Sequence, residues 1–338
     1  VALLSYLDGA LGKLDEWYFR YDRHVNRDAP AMFHLGWGSH AALAAVNAHW
    51  HAPQPPASIS IDWESDWIET EAGLWRRCGS FPTPAYAAYL PPESARVHVH
   101  FVRPVVQGLG PVAVIMPTSN EEGVEGRLPL ARALAKQGIS SLLLESPYMG
   151  RRKPVAQYKT TLSYFSDFSL LCAASIEEAR AVLGWLGEQG FTELCTAGLS
   201  KGGYLATVAG LRSPLPTHVV ALLPPHSGVA VLVDGLLGRL CDWDLLQRTS
   251  GSGIPVREQM ARLFEVTSLE HLPIPQPPQR LTFIAARRDR YIPRHSYEKL
   301  ARHWDGHATI HWLAGGHVSS IVERKHLIRA ITTTLLSR

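Results

Sequence analysis

A series of short, uninterrupted apolar runs from residue 111 onward constrains the fold more than any other feature of this chain. They read "PVAVIMP" (111–117), "SSLLLES" (140–146), "ELCTAG" (193–198), "HVVALLPP" (218–225), "LTFIAA" (281–286) and "TIHWLAG" (309–315). All are too short for a helix of ordinary length, and the first of them, "PVAVIMP", lacks the alternation of a half-exposed strand, which is the pattern of strands covered on both faces. "VHVHFVRP" (97–104), just upstream, alternates like a strand. Helical patterns lie between the runs, at about Glu125–Gln137 before Gly138, at Asp167–Gln189, from Ser200 to about Leu211, and at Val318–Ser337. Strands alternating with helices require crossover connections and therefore a mostly parallel sheet flanked by helices, an α/β fold.

The rhythm breaks in two places. Residues from about 228 to 278 carry the helical patches "VLVDGLLGRL" and "REQMARLFEV" and a proline-rich exit, and are expected to form a lid inserted near the end of the sheet. Upstream of residue 95, an amphipathic helix at about Leu3–Arg23 carries Trp17, Tyr18, Phe19 and Tyr21. Proline-rich stretches follow at Ala52–Pro56 and "FPTPAYAAYLPPES" (81–94). The expected organisation is a helical and irregular N-terminal extension over residues 1–94, packed on a core over 95–338.

Composition narrows the partners. A net charge of +3 over 338 residues, with no Lys/Arg-rich helix, gives no footprint for nucleic acid. No apolar run is long enough to span a bilayer, and the mixed charges on the N-terminal helix favour packing on the protein over lying on a membrane, with peripheral contact left open. The four cysteines form no CxxC pair and read as reduced thiols, which favours a cytoplasmic setting; the chain opens at Val1, so a segment upstream of it is left open. His98 with His100, and His307 with His311, are the nearest approach to metal-ligand spacing, but with 16 histidines such pairs arise by chance, and no HExxH, dinucleotide fingerprint or phosphate loop is present. Neither a metal nor a cofactor is expected. Oligomeric state is not legible.

The chemistry concentrates in "CTAGLSKGGYLATVAG" (195–210), where Ser200 stands between Gly198 and Gly202 after a buried strand and before a helix. A nucleophilic serine on so tight a turn needs small neighbours, and the turn places it at a helix N-terminus that favours negative charge. Serine also needs a base, and the base an orienting acid. "LTFIAARRDRYIP" puts Asp289 just after a strand, and "IHWLAGGHVSS" puts His317 just after the last one. The order Ser, Asp, His at the C-terminal ends of parallel strands makes these three the candidate triad, with Asp234 the alternative acid. The oxyanion donors are expected to be the N–H of Lys201 and one from the loop "MPTSNEEG", at Thr118 or Ser119.

These features resemble the α/β-hydrolase superfamily, and within it the abhydrolase domain-containing protein 18-like group. The resemblance covers most of the chain and rests on "FHLGWG" (33–38), "LPPES", "LLLESPYMGRRKP", the serine turn and "GGHVSS". It implies an α/β-hydrolase fold with Ser200, Asp289 and His317 as triad. The chain departs from the family pattern at Lys201 and in "PTSNEEG".

Basic residues gather near the same strand ends: Arg151, Arg152 and Lys153 after one strand, and Arg287, Arg288 and Arg290 around Asp289. Arg151, Arg152 and Lys153 are candidates for binding an anionic or lipid-like acyl substrate. The expected activity is serine hydrolysis of a carboxylic ester or thioester. An acyltransferase using the same triad, and a non-catalytic lipid- or protein-binding relative, are the alternatives.

Overall fold

The computed structural model describes residues 2–70, 74–105, 108–277, 279–322 and 324–336. Val1, Pro278, Ser337 and Arg338, at the edges of segments expected from sequence, lie outside the described residues. The strands are β1 (Asp62–Trp63), β2 (Ile68–Thr70), β3 (Leu74–Pro82), β4 (Arg96–Pro104), β5 (Val112–Ile115), β6 (Ser140–Leu144), β7 (Leu194–Leu199), β8 (Thr217–Leu222), β9 (Leu281–Ala286) and β10 (Ala308–Leu313). The helices are α1 (Ala2–Val25), α2 (His40–His51), α3 (Leu128–Ala135), α4 (Phe165–Glu188), α5 (Lys201–Leu211), α6 (Trp243–Thr249), α7 (Val256–Glu265), α8 (Arg294–His303), α9 (His317–Val322) and α10 (Lys325–Leu336).

The strands form one sheet in the order β1-β3-β4-β6-β5-β7-β8-β9-β10, with β2 also on β3. From β6 to β10 every pairing is parallel, and the β1, β3, β4 side is antiparallel. The runs of β5 to β9 are mostly apolar because both faces are covered, whereas β10, at the sheet edge, is only partly buried. Val112 and Val114 of β5 pack toward α4 and α5, while Ala113 and Ile115 pack toward α3 and α10. Leu142 and Leu144 of β6 divide from Leu143 in the same way.

A third apolar cluster joins the N-terminal arm to the segment between β8 and β9. Phe33 and Trp37 pack with Phe165 of α4 and with Met260 and Phe264 of α7. Phe33 has φ 63° and Gly38 φ 75°, so "FHLGWG" is a tight fold of chain whose indole donates to Leu246 O at 2.9 Å.

The sheet reaches further toward the N-terminus than the sequence pattern implies. β3, inside the expected irregular extension, pairs with β4 along its full length. Its centre, "WRRCGS", lacks apolar alternation because that part of the sheet is only partly covered. The expected closing helix is two helices, α9 and α10, rather than one.

Candidate active site

The serine turn is built by close backbone approach. β7 ends at Leu199, α5 starts at Lys201, and Ser200 between them adopts φ 55° and ψ −120°. That conformation is costly for a residue with a Cβ and persists only where the surroundings fix it. A Cβ on Gly198 would run into the carbonyl of Gly202, and one on Gly202 would sit 2.9 Å from Met116 O and 3.0 Å from Pro117 O. The two glycines therefore let α5 pack against β7 and let the turn approach the loop after β5.

The structure brings the three expected side chains into one line. His317 Nε2 lies 3.1 Å from Ser200 Oγ, and His317 Nδ1 lies 2.6 Å from Asp289 Oδ2. Asp289 Oδ2 also accepts from the Tyr297 hydroxyl at 2.6 Å, and Oδ1 from the Ile292 N–H at 2.7 Å. Asp289 and His317 are buried. Burial pushes the His317 imidazole down, but the Asp289 carboxylate at its Nδ1 outweighs this and holds the pKa above the ordinary histidine value. Asp234, the alternative acid, instead meets His295 Nε2 at 3.1 Å.

A residue that sequence reasoning missed ties this arrangement together. Asp15, on α1 and fully buried, accepts from the backbone N–H of Arg290 and of His317 through Oδ2 and of Val318 through Oδ1, each at 2.9 Å. One carboxylate thus joins the loop that carries Asp289 to the start of the helix that carries His317. Burial pushes its pKa up, against the three N–H groups that favour the ionised form. Nothing in the sequence flags Asp15, because its partners are backbone groups nearly three hundred residues away.

The expected oxyanion loop is altered by its own acids. The Thr118 N–H donates to Glu121 Oε2 at 3.2 Å, so it is engaged rather than free. Glu121 is held there by Arg127, at 2.8 Å. Lys201 is half-buried rather than out on the solvent rim. Its ammonium lies inward, 3.4 Å from Ser146 Oγ, and burial pulls its pKa down to about 8.

The basic loop after β6 does not reach the triad. Arg152 is completely buried and forms a two-pronged pair with Glu178 of α4, at 2.6 and 2.8 Å, while donating to Ser94 O and Glu145 O. The expectation that Arg152 contacts substrate is therefore corrected: with all those acceptors supplied by neighbouring chain, it braces the fold. Arg151 pairs with Glu145 and Lys153 with Glu122, and both line a separate cavity that none of the three triad candidates lines. The basic residues beside Asp289 behave differently. Arg287, Arg288 and Arg290, with Lys13, Arg239 and Arg294, line a cleft of about 730 Å³ that Asp289 also lines, though neither Ser200 nor His317 does. Glu16 and Asp234 offset part of that charge. Among the described residues no group of three or more His, Cys, Asp or Glu could hold a metal ion.

Comparison with known proteins bears on the fold and the family. The sequence profile of the family described as alpha/beta hydrolase domain containing 18 matches residues 30–254 and 252–338. Among solved structures, the acetyl xylan esterase from Paenibacillus sp. R4 is similar at 15% identity and a TM-score of 0.56, over 86% of this chain and 92% of that one. A cold-adapted esterase from an Arctic intertidal metagenomic library is similar at 14% identity and a TM-score of 0.54, over 81% and 99%. Acetyl xylan esterase 1 from Thermoanaerobacterium sp. JW/SL YS485 is similar at 11% identity and a TM-score of 0.55, over 86% and 92%. At such identities the likeness describes the α/β-hydrolase fold.

Proposed function

This chain belongs to the alpha/beta hydrolase domain containing 18 family, and from that premise we propose that it is a serine hydrolase that cleaves carboxylic esters or thioesters through an acyl-enzyme on Ser200. The observation that carries the reading is the unbroken hydrogen-bonded line from Ser200 Oγ through His317 to Asp289. It is supported by the strained turn on which Ser200 stands. Ser200 Oγ attacks the acyl carbonyl while His317 Nε2 takes its proton. His317 then delivers that proton to the leaving group, and water clears the acyl-enzyme by the same exchange in reverse. Asp289, held by Tyr297 and the Ile292 N–H, keeps the imidazole in the tautomer that leaves Nε2 free to accept. The Lys201 N–H at the start of α5 is the first oxyanion donor, and Ser119 is the candidate for the second. The fold neighbours are named as esterases, which adds support for an ester as substrate.

The cleft beside Asp289 favours an anionic or lipid-like ester. Its cations come from three separate segments, so a substrate phosphate or carboxylate would find several donors at once. Trp17, Tyr18 and Tyr21 are exposed on α1, the helix that also supplies Lys13 and Glu16 to that cleft, and such aromatics suit contact with an amphiphile. Turnover of a panel of esters graded in chain length and charge, by wild type and by Arg290→Glu, tests this. The charge reversal should raise KM for anionic esters and leave neutral ones unchanged. An equal response from both would refute the anionic preference, and no turnover of any ester or thioester would refute the hydrolase reading.

A further inference from the structure

A second constellation of reactive groups lies on the antiparallel side of the sheet. Cys78 of β3 and His100 of β4 are register partners, so their side chains meet on one face. Cys78 Sγ lies 3.2 Å from His100 Nδ1, and His100 Nε2 lies 3.1 Å from Glu145 Oε1. Arg151 donates to the same carboxylate oxygen at 2.7 Å, and Arg76 Nη2 lies 2.7 Å from His100 Nδ1. His100 and Glu145 are buried, and Cys78 is half-buried. Cys78, His100, Glu145 and Arg151 line one open cavity of about 500 Å³, distinct from the cleft beside Asp289.

The arrangement favours a thiolate. With Arg76 donating to Nδ1, the neutral ring carries its proton on Nε2 and donates to Glu145, and the guanidinium faces the sulfur. With Arg76 turned from the ring toward the sulfur and the thiol proton on Nδ1, an imidazolium faces the sulfur and Glu145 supports its charge. Negative sulfur has a cationic neighbour in both states. The His100 hydrogen bond draws the Cys78 pKa below its ordinary value. Burial raises the Glu145 carboxyl, but hydrogen bonds from His100 and Arg151 reverse this and hold it at about 2. The other charged groups that line the cavity are Glu64, Glu122, Glu125 and Lys153. The other three cysteines have no such support: burial raises the thiol pKa of Cys172 to about 11, of Cys241 to about 12, and of Cys195 higher still.

We propose that Cys78 is a second nucleophilic centre of this protein, a modification site that takes hydrogen peroxide or another small polar peroxide. The cavity selects for that chemistry. Its lining is carboxylates, cations and two glycines beside Cys78 and His100, with no apolar side chain to hold a greasy electrophile. Glu145 lines this cavity, and among the described residues its buried Oε2 has no hydrogen-bond donor. The Cys78 thiolate attacks one peroxide oxygen, and an S–O bond forms as the O–O bond breaks. Sulfur is oxidised by two electrons, and the other oxygen leaves as hydroxide, which takes the proton held on His100 and departs as water. No second cysteine lines the cavity, so the product is a sulfenic acid rather than a disulfide within the chain.

The test uses the intact protein with iodoacetamide across pH 5 to 9, read peptide by peptide by mass spectrometry, with glutathione as the reference thiol. A second arm adds hydrogen peroxide and then a dimedone probe for sulfenic acid. Cys78 should alkylate with a midpoint below the reference thiol and about 10-fold faster than it at pH 6. Dimedone should tag Cys78 ahead of the other three cysteines, and Cys78→Ser should lose the tag while keeping its fold. A midpoint equal to or above that of the reference thiol, or no dimedone tag on Cys78, would overturn the proposal. The wild-type midpoint decides the matter without any variant that has to fold.

Discussion

Replacing Asp15 by alanine tests whether α1 holds the reacting groups in place. The side chain accepts three backbone N–H groups, two of them at the start of the helix that carries His317. Hydrogen bonds to a charged acceptor contribute about 1.5–3 kcal/mol each, so those two represent about 3–6 kcal/mol. Water entering the space left by the carboxylate recovers part of this. A net tilt of about 3 kcal/mol away from the aligned His317 lowers the population that can react, and kcat with it, about 100-fold. Asp15→Asn offers one acceptor oxygen in place of two, and should fall between wild type and alanine, by about 10-fold. The assay is kcat and KM on a short ester that the wild type turns over, with near-ultraviolet circular dichroism to confirm folded protein. The expected signature is a fall in kcat with little change in KM. Wild-type kcat in folded Asp15→Ala would refute the reasoning, and so would a loss that only tracks the unfolded fraction.

Other perturbations read other parts of the site. The His317 pKa is raised above 6.5, and the base must be neutral to act, so kcat/KM should fall as pH drops through an acid limb lying above pH 6.5. Asp289→Asn should move that limb down and lower kcat about 10⁴-fold, as measured by a pH–rate series. Gly202→Ala places a Cβ against two backbone carbonyls of the loop after β5, and should abolish ester turnover or folding, read by activity and circular dichroism together. Burial depresses Lys201 from 10.5 to about 8, so its protonation opposes folding below pH 8, and that penalty fades as pH rises toward 10.5. Lys201→Met should therefore raise the unfolding free energy from denaturant melts at pH 7, by up to about 3 kcal/mol, with the gain falling below about 1 kcal/mol by pH 10.

What the sequence made legible follows from where each signal resides. The parallel strands, the serine turn and the positions of Asp289 and His317 are written in local runs, because both-face burial and tight turns restrict the residues next to them. β3 was hidden because a partly covered strand needs no apolar alternation, and "WRRCGS" shows none. Arg152 reads as a substrate-binding cation from sequence because its partner, Glu178, is set by how α4 docks, which no local pattern encodes. The same holds for Asp15 and for the meeting of Cys78 with His100, both products of long-range contact. The engaged Thr118 N–H depends on a carboxylate three residues on, whose direction only the folded loop fixes.

The central claim, that Ser200 is an activated nucleophile, is tested most directly by a fluorophosphonate, which phosphonylates an activated serine far faster than an ordinary one. Intact-mass measurement of the folded wild type should show one adduct, mapped to Ser200, and folded Ser200→Ala should show none. An unlabelled wild type, or an adduct that survives in Ser200→Ala, would contradict the account.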